Sequence, residues 1–262
     1  MNLKYFFGSI ISLPLLPIIA FQGKKIKKEA LRLPEAKEAK GFINLNTDKT
    51  LKLIAIGEST IAGVGVDFHK NGFTGALAKE ISNQKNISVL WRVYAKSGYT
   101  ARLVRLRLLP KIEESNADAI VIGLGANDAF KLNSPSLWMF QINSLIKQLK
   151  KKFPKTPIYF TNMPPIKEFP AFTKSIKFVV GNLVEIFGDR LNRRVKKKSG
   201  VYYNNDIITL ETWKAKFNQK GDLNTFFSDG VHPSKSSYQV WGKDMANFII
   251  HTRSFNKWMQ KK

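Results

Sequence analysis

The sequence predicts an α/β fold: a parallel sheet with helices on both faces. Three observations carry that prediction. From Leu51 onward, short apolar runs alternate with longer segments of helical period. Leu51–Ile56 and Ala117–Leu124 are short, strongly apolar runs, interrupted only by Lys52 and Asp118, the pattern of strands buried on both faces. Three of the strand-like runs end in small or polar clusters, Gly57-Glu58-Ser59, Ser97-Gly98 and Gly125-Ala126-Asn127-Asp128. In open α/β sheets that edge is where ligands bind.

The chain opens with an apolar stretch, Tyr5 to Phe21, broken in polarity only by Ser9 and Ser12 and containing Pro14 and Pro17. Lys4 precedes it and Lys24-Lys25-Ile26-Lys27-Lys28 follows. A bilayer span needs roughly 20 apolar residues, so the stretch is at the short end. A cleaved secretory signal is one reading, with Ala20 near the cut, although an A-x-A pattern is absent. The favoured expectation is a retained membrane anchor or re-entrant hairpin. The basic cluster then keeps the rest of the chain on the cytoplasmic side; a cleaved segment would instead make it periplasmic or secreted. Glu29 to Asp48 is mixed-charge with Pro34 and reads as a linker, from which Leu31, Leu33 and Pro34 can pack back on the domain.

After the strand Leu51–Ile56, residues Phe73 to Ser82 read as a helix through Leu77, Ala78 and Ile81. Ser88–Ala95 is strand-like, and Thr100 is a candidate N-cap for a helix over Ala101 to Ile112. Ala117–Leu124 is a strand. Pro135 to Phe153 has helical period through Leu137, Phe140, Ile142, Leu145, Ile146 and Leu149. Pro157–Met163 is a strand stopped by Pro164-Pro165, Phe172 to Lys198 is helical, Val201–Tyr203 is a weak strand, and Ser234 to Thr252 is the last helix.

Composition narrows the chemistry. With no cysteine among 262 residues, disulfides, thiolate metal sites and cysteine nucleophiles are excluded. Only His69, His232 and His251 supply imidazoles, and none has metal-motif spacing, so neither a metal nor another cofactor is expected. Lys+Arg number 43 against 19 Asp+Glu, a formal charge of +24. That charge favours an anionic membrane surface as partner or is simply a generic basic surface. Nucleic acid is not expected, because no zinc-finger or RNP-type signature accompanies the charge.

Ser59 stands at the end of the first strand, where a hydroxyl serves as a nucleophile or as an ordinary turn residue. The larger pattern favours chemistry. Ser228-Asp229-Gly230-Val231-His232-Pro233-Ser234 precedes the last helix, with Asp229 three residues before His232, so one turn lets the carboxylate reach the ring. Acyl transfer needs a hydroxyl that attacks, an imidazole that moves the proton, an acid that orients it and donors for the oxyanion. Histidine suits the second role because its unperturbed pKa is near ~6.5. His69, beside Asp67, is a second and weaker candidate; His251 lies within the last helix as a surface or packing residue.

These residues resemble the SGNH (GDSL-type) hydrolase family. Gly57-Glu58-Ser59 matches its first block, Gly98 its second, Gly125-Ala126-Asn127-Asp128 its third and Asp229-Gly230-Val231-His232 its last, over roughly Leu51 to Ile250. The resemblance implies Ser59 as nucleophile, His232 as general base, Asp229 as its orienting acid, and an oxyanion hole from Ser59 N–H, Gly98 N–H and the Asn127 side chain. It implies a three-layer α/β/α sandwich around a five-stranded parallel sheet, flavodoxin-like in kind. One departure is visible: Glu58 stands where the family usually has Asp, which changes the hydrogen bonds available near the loop.

The division expected is a hydrophobic N-terminal segment over 1–23, a basic linker over 24–48, the hydrolase domain over 49–255 and a basic tail over 256–262. The expected activity is a serine esterase acting on a small-molecule or lipid-derived acyl ester. Acyl transfer or deacetylation on carbohydrate O-acyl groups is the catalytic alternative, and a membrane-surface binding protein the non-catalytic one. Met163-Pro164-Pro165 and Phe169-Pro170-Ala171-Phe172 either line an acyl pocket or form a packed loop.

Overall fold

The computed structural model describes residues 3–29, 33–217 and 223–260. One sheet contains β1 (Lys40–Ile43), β2 (Thr50–Gly57), β3 (Ser88–Ala95), β4 (Ala119–Gly123), β5 (Ile158–Phe160) and β6 (Val201–Tyr203), in the order β1-β3-β2-β4-β5-β6. The five strands β2 to β6 are parallel, and β1 runs antiparallel to β3 at one edge. From β2 the chain moves first to β3 on one side and then to β4 on the other. The strand order reverses there, so the carboxyl ends of β2 and β4 flank a topological switch point.

The helices are α1 (Leu3–Ser12), α2 (Leu16–Glu29), α3 (Phe73–Lys85), α4 (Ala101–Leu103), α5 (Ala126–Phe130), α6 (Pro135–Lys152), α7 (Lys174–Ile176), α8 (Asn182–Val195), α9 (Leu210–Phe217), α10 (Lys235–Ile250) and α11 (Arg253–Met259). Strand side chains alternate between two cores, as the two-residue period requires. Ile54, Ile56, Ile120 and Ile122 face the layer of α4 to α8, where Trp138 stacks on Phe187. Leu53, Ala55, Ala119 and Val121 face the layer of α3 and α10. Gly242 lets those two helices approach closely, since a Cβ there would meet the Ala76 Cβ at 2.6 Å. The result is the expected three-layer sandwich.

Several elements differ from the sequence reading in detail. Thr100 and Ser234 cap their helices, accepting the Leu103 and Ser237 N–H groups. The helix after Thr100 passes within one turn into a π-helical turn, Val104–Leu108, and a 3-10 turn, Leu109–Lys111. A second π-helical turn, Lys177–Gly181, interrupts the expected helix over Phe172 to Lys198. The expected strand Pro157–Met163 pairs only over Ile158–Phe160.

The larger difference is the linker. Ala36 N–H donates to Ala62 O and Lys37 N–H to Asp67 O, and Val93 N–H donates to Ala39 O, before residues 40–43 join the sheet as β1. Gly41 makes this possible: a Cβ there would lie 2.2 Å from the Trp91 ring. Leu33 does pack back on the domain, Leu31 lies outside the described residues, and the segment expected as a basic tail begins inside α11, whose Phe255 is buried.

At the N-terminus, Pro14 opens a 3-10 turn, Leu13–Leu15, between α1 and α2, and Pro17 sits in the first turn of α2 where no N–H is needed. Among the described residues no helix is long and apolar enough to cross a membrane.

Candidate active site

The carboxyl ends of β2 and β4 are both glycine, Gly57 and Gly123, paired in register. The Ile61 side chain fills the space that their Cβ atoms would take, at 2.4 and 2.7 Å. This lets the loop after β2 fold back over the strand ends. Its turn is closed by Ala62 N–H to Glu58 O and Val64 N–H to Ser59 O, at 2.9 and 3.1 Å. Ser59 is thereby presented at the wall of a cavity of about 470 Å³, within the range of small-molecule sites.

Glu58, before it, is 3 % exposed. Its Oε1 accepts the Ala126 N–H at 2.9 Å and its Oε2 the Asn127 N–H at 3.0 Å. These are orphan donors at the start of α5, where Gly125 supplies no side-chain cap. Burial pushes the Glu58 carboxyl up to about 7, against the pull of the two N–H bonds, and nearby Asp128 adds to the rise. Asp128 is also buried; its Oδ2 accepts the Ala101 N–H at 2.7 Å and its Oδ1 the Asn133 amide at 2.8 Å. The two acids therefore hold the loops after β2, β3 and β4 in one arrangement.

His232 arrives from the loop before α10. Ser228 N–H donates to His232 O, Gly230 takes φ +77°, and Phe227 bridges to Pro233. Inside this loop, Asp229 Oδ1 accepts the Val231 and His232 backbone N–H groups at 3.0 and 2.7 Å. Asp229 Oδ2 lies 2.8 Å from His232 Nδ1. Burial opposes ionisation of Asp229, but the bonds from the His232 ring and from both backbone donors outweigh it and hold the carboxyl below the usual range. A carboxylate fixed in this way selects the tautomer with the proton on Nδ1 and leaves Nε2 as the basic nitrogen.

The candidate oxyanion donors line the same cavity. Among the described residues, the backbone N–H groups of Ser59 and Gly98 have no protein acceptor. Gly98 has φ +79°, a conformation costing most residues about 1–2 kcal/mol. Asn127 Nδ2 donates to Tyr99 O at 3.1 Å. Ser59, Gly98, Asn127, Asp229 and His232, widely separated in sequence, thus share one cavity wall. No hydrogen bond joins Ser59 Oγ to the His232 ring.

The rest of the lining is largely apolar and includes Leu33, Phe130, Pro164, Phe169, Phe172 and Ile176. Of the two sequence-marked loops, Pro164, Phe169 and Phe172 reach the cavity, whereas Met163, Pro165, Pro170 and Ala171 do not line it. Ala171 N–H instead donates to Gly230 O, tying this wall to the histidine loop. His69, the second candidate imidazole, is away from the cavity. It is 4 % exposed and burial pushes it down to about 4 despite Glu35, so its ring stays neutral. His251 is exposed at the end of α10, with Nδ1 2.6 Å from Asn247 O. No cluster of three potential metal-ligating side chains occurs among the described residues.

Sequence reading had not foreseen Glu58 as a clamp on α5, nor Glu35. Glu35 Oε1 accepts the Ser97 N–H at 2.7 Å and Oε2 pairs with Lys96 Nζ at 3.0 Å, fixing the loop that carries Gly98. A helix beginning at a glycine is the signal that Ala126 and Asn127 need an outside acceptor. Nothing local marks Glu35, which is remote from that loop in sequence.

No curated protein matches the chain. Solved structures do, at low identity and with a shared fold. A lipase, Lip_vut3, from a goat rumen metagenome is 19% identical, with a TM-score of 0.55 over 78% of this chain and 99% of its own. A lipolytic G-D-S-L family protein from Veillonella parvula is 16% identical, with a TM-score of 0.57 over 78% and 99%. An acetyl xylan esterase, AlAXEase, is 14% identical, with a TM-score of 0.57 over 76% and 100%. The model of the GDSL-like lipase/acylhydrolase family matches residues 55–240, the span from the end of β2 into α10. The chain therefore belongs to the GDSL-like lipase/acylhydrolase family, and with it to the ester-hydrolysing serine hydrolases.

Proposed function

We propose that this protein hydrolyses carboxylic acyl esters, lipid-derived ones among them, through an acyl-enzyme on Ser59. The observation that carries the reading is the 2.8 Å grip of Asp229 on His232 Nδ1, in the same cavity as Ser59 and the unpartnered Ser59 and Gly98 N–H groups. Ser59 Oγ attacks the ester carbonyl while His232 Nε2 takes the hydroxyl proton. The carbonyl oxygen becomes an oxyanion held by Ser59 N–H, Gly98 N–H and Asn127 Nδ2. Collapse breaks the bond to the alcohol, which leaves with the proton from His232. Water then repeats the sequence on the acyl-serine and releases the carboxylic acid. Asp229 stabilises the imidazolium that forms in each half.

The apolar wall of Phe130, Phe169, Phe172 and Ile176 supports an acyl chain as the group bound there. The test is hydrolysis of a short and a long p-nitrophenyl acyl ester by wild type and Ser59→Ala. Turnover by wild type that is lost in a folded Ser59→Ala, with activity on the longer chain, is expected. Equal turnover in the two proteins overturns the mechanism. No turnover by a folded wild type overturns the hydrolase reading in favour of acyl transfer to a specific acceptor.

A further inference from the structure

The N-terminal helices present a face that the fold leaves uncovered. Ile10, Ile11, Leu13, Ile18 and Phe21 are 46–71% exposed, although they fall within twelve residues of chain. The segment is nonetheless seated. Tyr5 and Ile19 pack against the core on the α4–α8 side. Thr173 Oγ1 donates to Gln22 Oε1 at 2.6 Å, which fastens α2 to the residue capping α7. Gly23 and Leu33 then contribute to the wall of the cavity that holds Ser59 and His232. The helices thus form a strap with one side on the domain, one side outward and one end at the site.

The strap's chemistry suits the plane of a bilayer surface. By rise per residue α1 is about 15 Å long and α2 about 21 Å, each below the roughly 30 Å of a hydrocarbon core. The Ser9 and Ser12 hydroxyls donate to the carbonyls of Tyr5 and Gly8, so neither opposes an apolar environment. Lysines bracket the stretch in sequence, at positions 4, 24, 25, 27 and 28, within a chain of formal charge +24. Exposed Phe130 lies near the same end: it lines the cavity and packs on Phe172. An outward apolar face in a segment bracketed in sequence by lysines is the pattern of an interfacial helix on anionic lipid.

We propose that the strap α1–α2 docks flat on an anionic phospholipid bilayer and sets the mouth of the acyl cavity against it. The proposal rests on the esterase reading for what happens next: an ester carried by the membrane reaches Ser59 without crossing water.

The experiment compares wild type, Ser59→Ala and the triple variant Ile11→Ser/Leu13→Ser/Phe21→Ser. Each is sedimented with phosphatidylcholine vesicles with or without phosphatidylglycerol. Each is also assayed on a water-soluble short ester and on a long-chain ester dissolved in the vesicles. Wild type and Ser59→Ala should bind the phosphatidylglycerol vesicles, less so as salt rises. The triple variant should lose at least about ten-fold in binding and in hydrolysis of the vesicle-borne ester, while keeping its rate on the soluble one. Unchanged binding by the triple variant, or equal wild-type binding without phosphatidylglycerol, overturns the proposal. So does a wild-type oligomer that the triple variant dissociates and that ignores vesicles, since a second copy then covers this face. Binding without hydrolysis of either ester leaves docking standing and removes the esterase reading. Hydrolysis of the soluble ester without binding does the reverse.

Discussion

The Glu58 carboxylate holds the backbone of Asn127: Oε2 accepts its N–H at 3.0 Å while Oε1 accepts that of Ala126 at 2.9 Å. The residue before the serine thereby sets where the Asn127 side chain begins. The extra methylene of glutamate, relative to the aspartate usual here in related proteins, is accommodated with both N–H groups satisfied.

This grip is held at a cost in stability that depends on pH. Burial raises the Glu58 carboxyl from 4.5 to about 7, so the folded protein keeps a proton that the unfolded chain releases. The contribution is fully present below about pH 4.5 and is lost as the pH rises to about 7, a change of about 3 kcal/mol. Urea unfolding of wild type and Glu58→Gln should show the wild type losing ground against the variant by that order between about pH 5 and about pH 8. Parallel curves would mean that Glu58 does not titrate in this range. Glutamine offers one acceptor oxygen for two donors, so kcat should also fall, by about ten-fold.

Asp229→Asn should be far more damaging than its size suggests. Asp229 Oδ1 accepts two backbone N–H groups, so the asparagine oxygen is drawn to that side. The amide NH₂ then faces His232 Nδ1, which must become an acceptor, and the ring proton moves to Nε2, where a base is needed. In a serine protease the equivalent change costs about 10⁴ in kcat; a fall of about 10³–10⁴ is expected here, with unfolding behaviour near wild type. Activity within ten-fold of wild type would remove Asp229 from the orienting role.

Asn127→Ala removes the side-chain donor but leaves the backbone N–H that Glu58 accepts. The helix opening should survive, and the loss should fall on the transition state: kcat down by about 10²–10³ with KM little changed. An unchanged kcat would exclude the Asn127 side chain from oxyanion binding.

What was legible in the sequence follows the range of the forces involved. β2 and β4 were readable because strands buried on both faces are mostly apolar, and Thr100 because a cap is a local bond. Ser59, Gly98 and Asn127 line one cavity because strand ends of a parallel sheet share an edge; their roles, and those of Asp229 and His232, rest on the resemblance of their motifs to the SGNH family. The strand β1 was not readable, because Lys40–Ile43 is half exposed and pairs with β3, a strand remote in sequence, where Gly41 makes room for Trp91. The two π-helical turns were hidden for a related reason: Val104–Leu108 and Lys177–Gly181 keep a helical apolar pattern while changing its pitch.

Glu35 belongs to the unforeseen part, and its role is open to a direct test. It sits in the segment read as linker, 28% exposed in its side chain, so its ion pair with Lys96 is worth at most about 1 kcal/mol. Its bond to the Ser97 N–H matters differently, because the next residue, Gly98, lines the cavity with an N–H that has no acceptor among the described residues. Glu35→Gln keeps an oxygen for Ser97 and loses the charge; Glu35→Ala loses both. Stability should change by less than about 1 kcal/mol in either. The alanine variant should lose several-fold to about ten-fold in kcat, and glutamine should recover most of it. Equal losses in the two variants would assign the effect to charge rather than to the loop. No loss in either would mean that Gly98 holds its position through its own backbone and through Asp128, which fixes the same loop from the other side at Ala101.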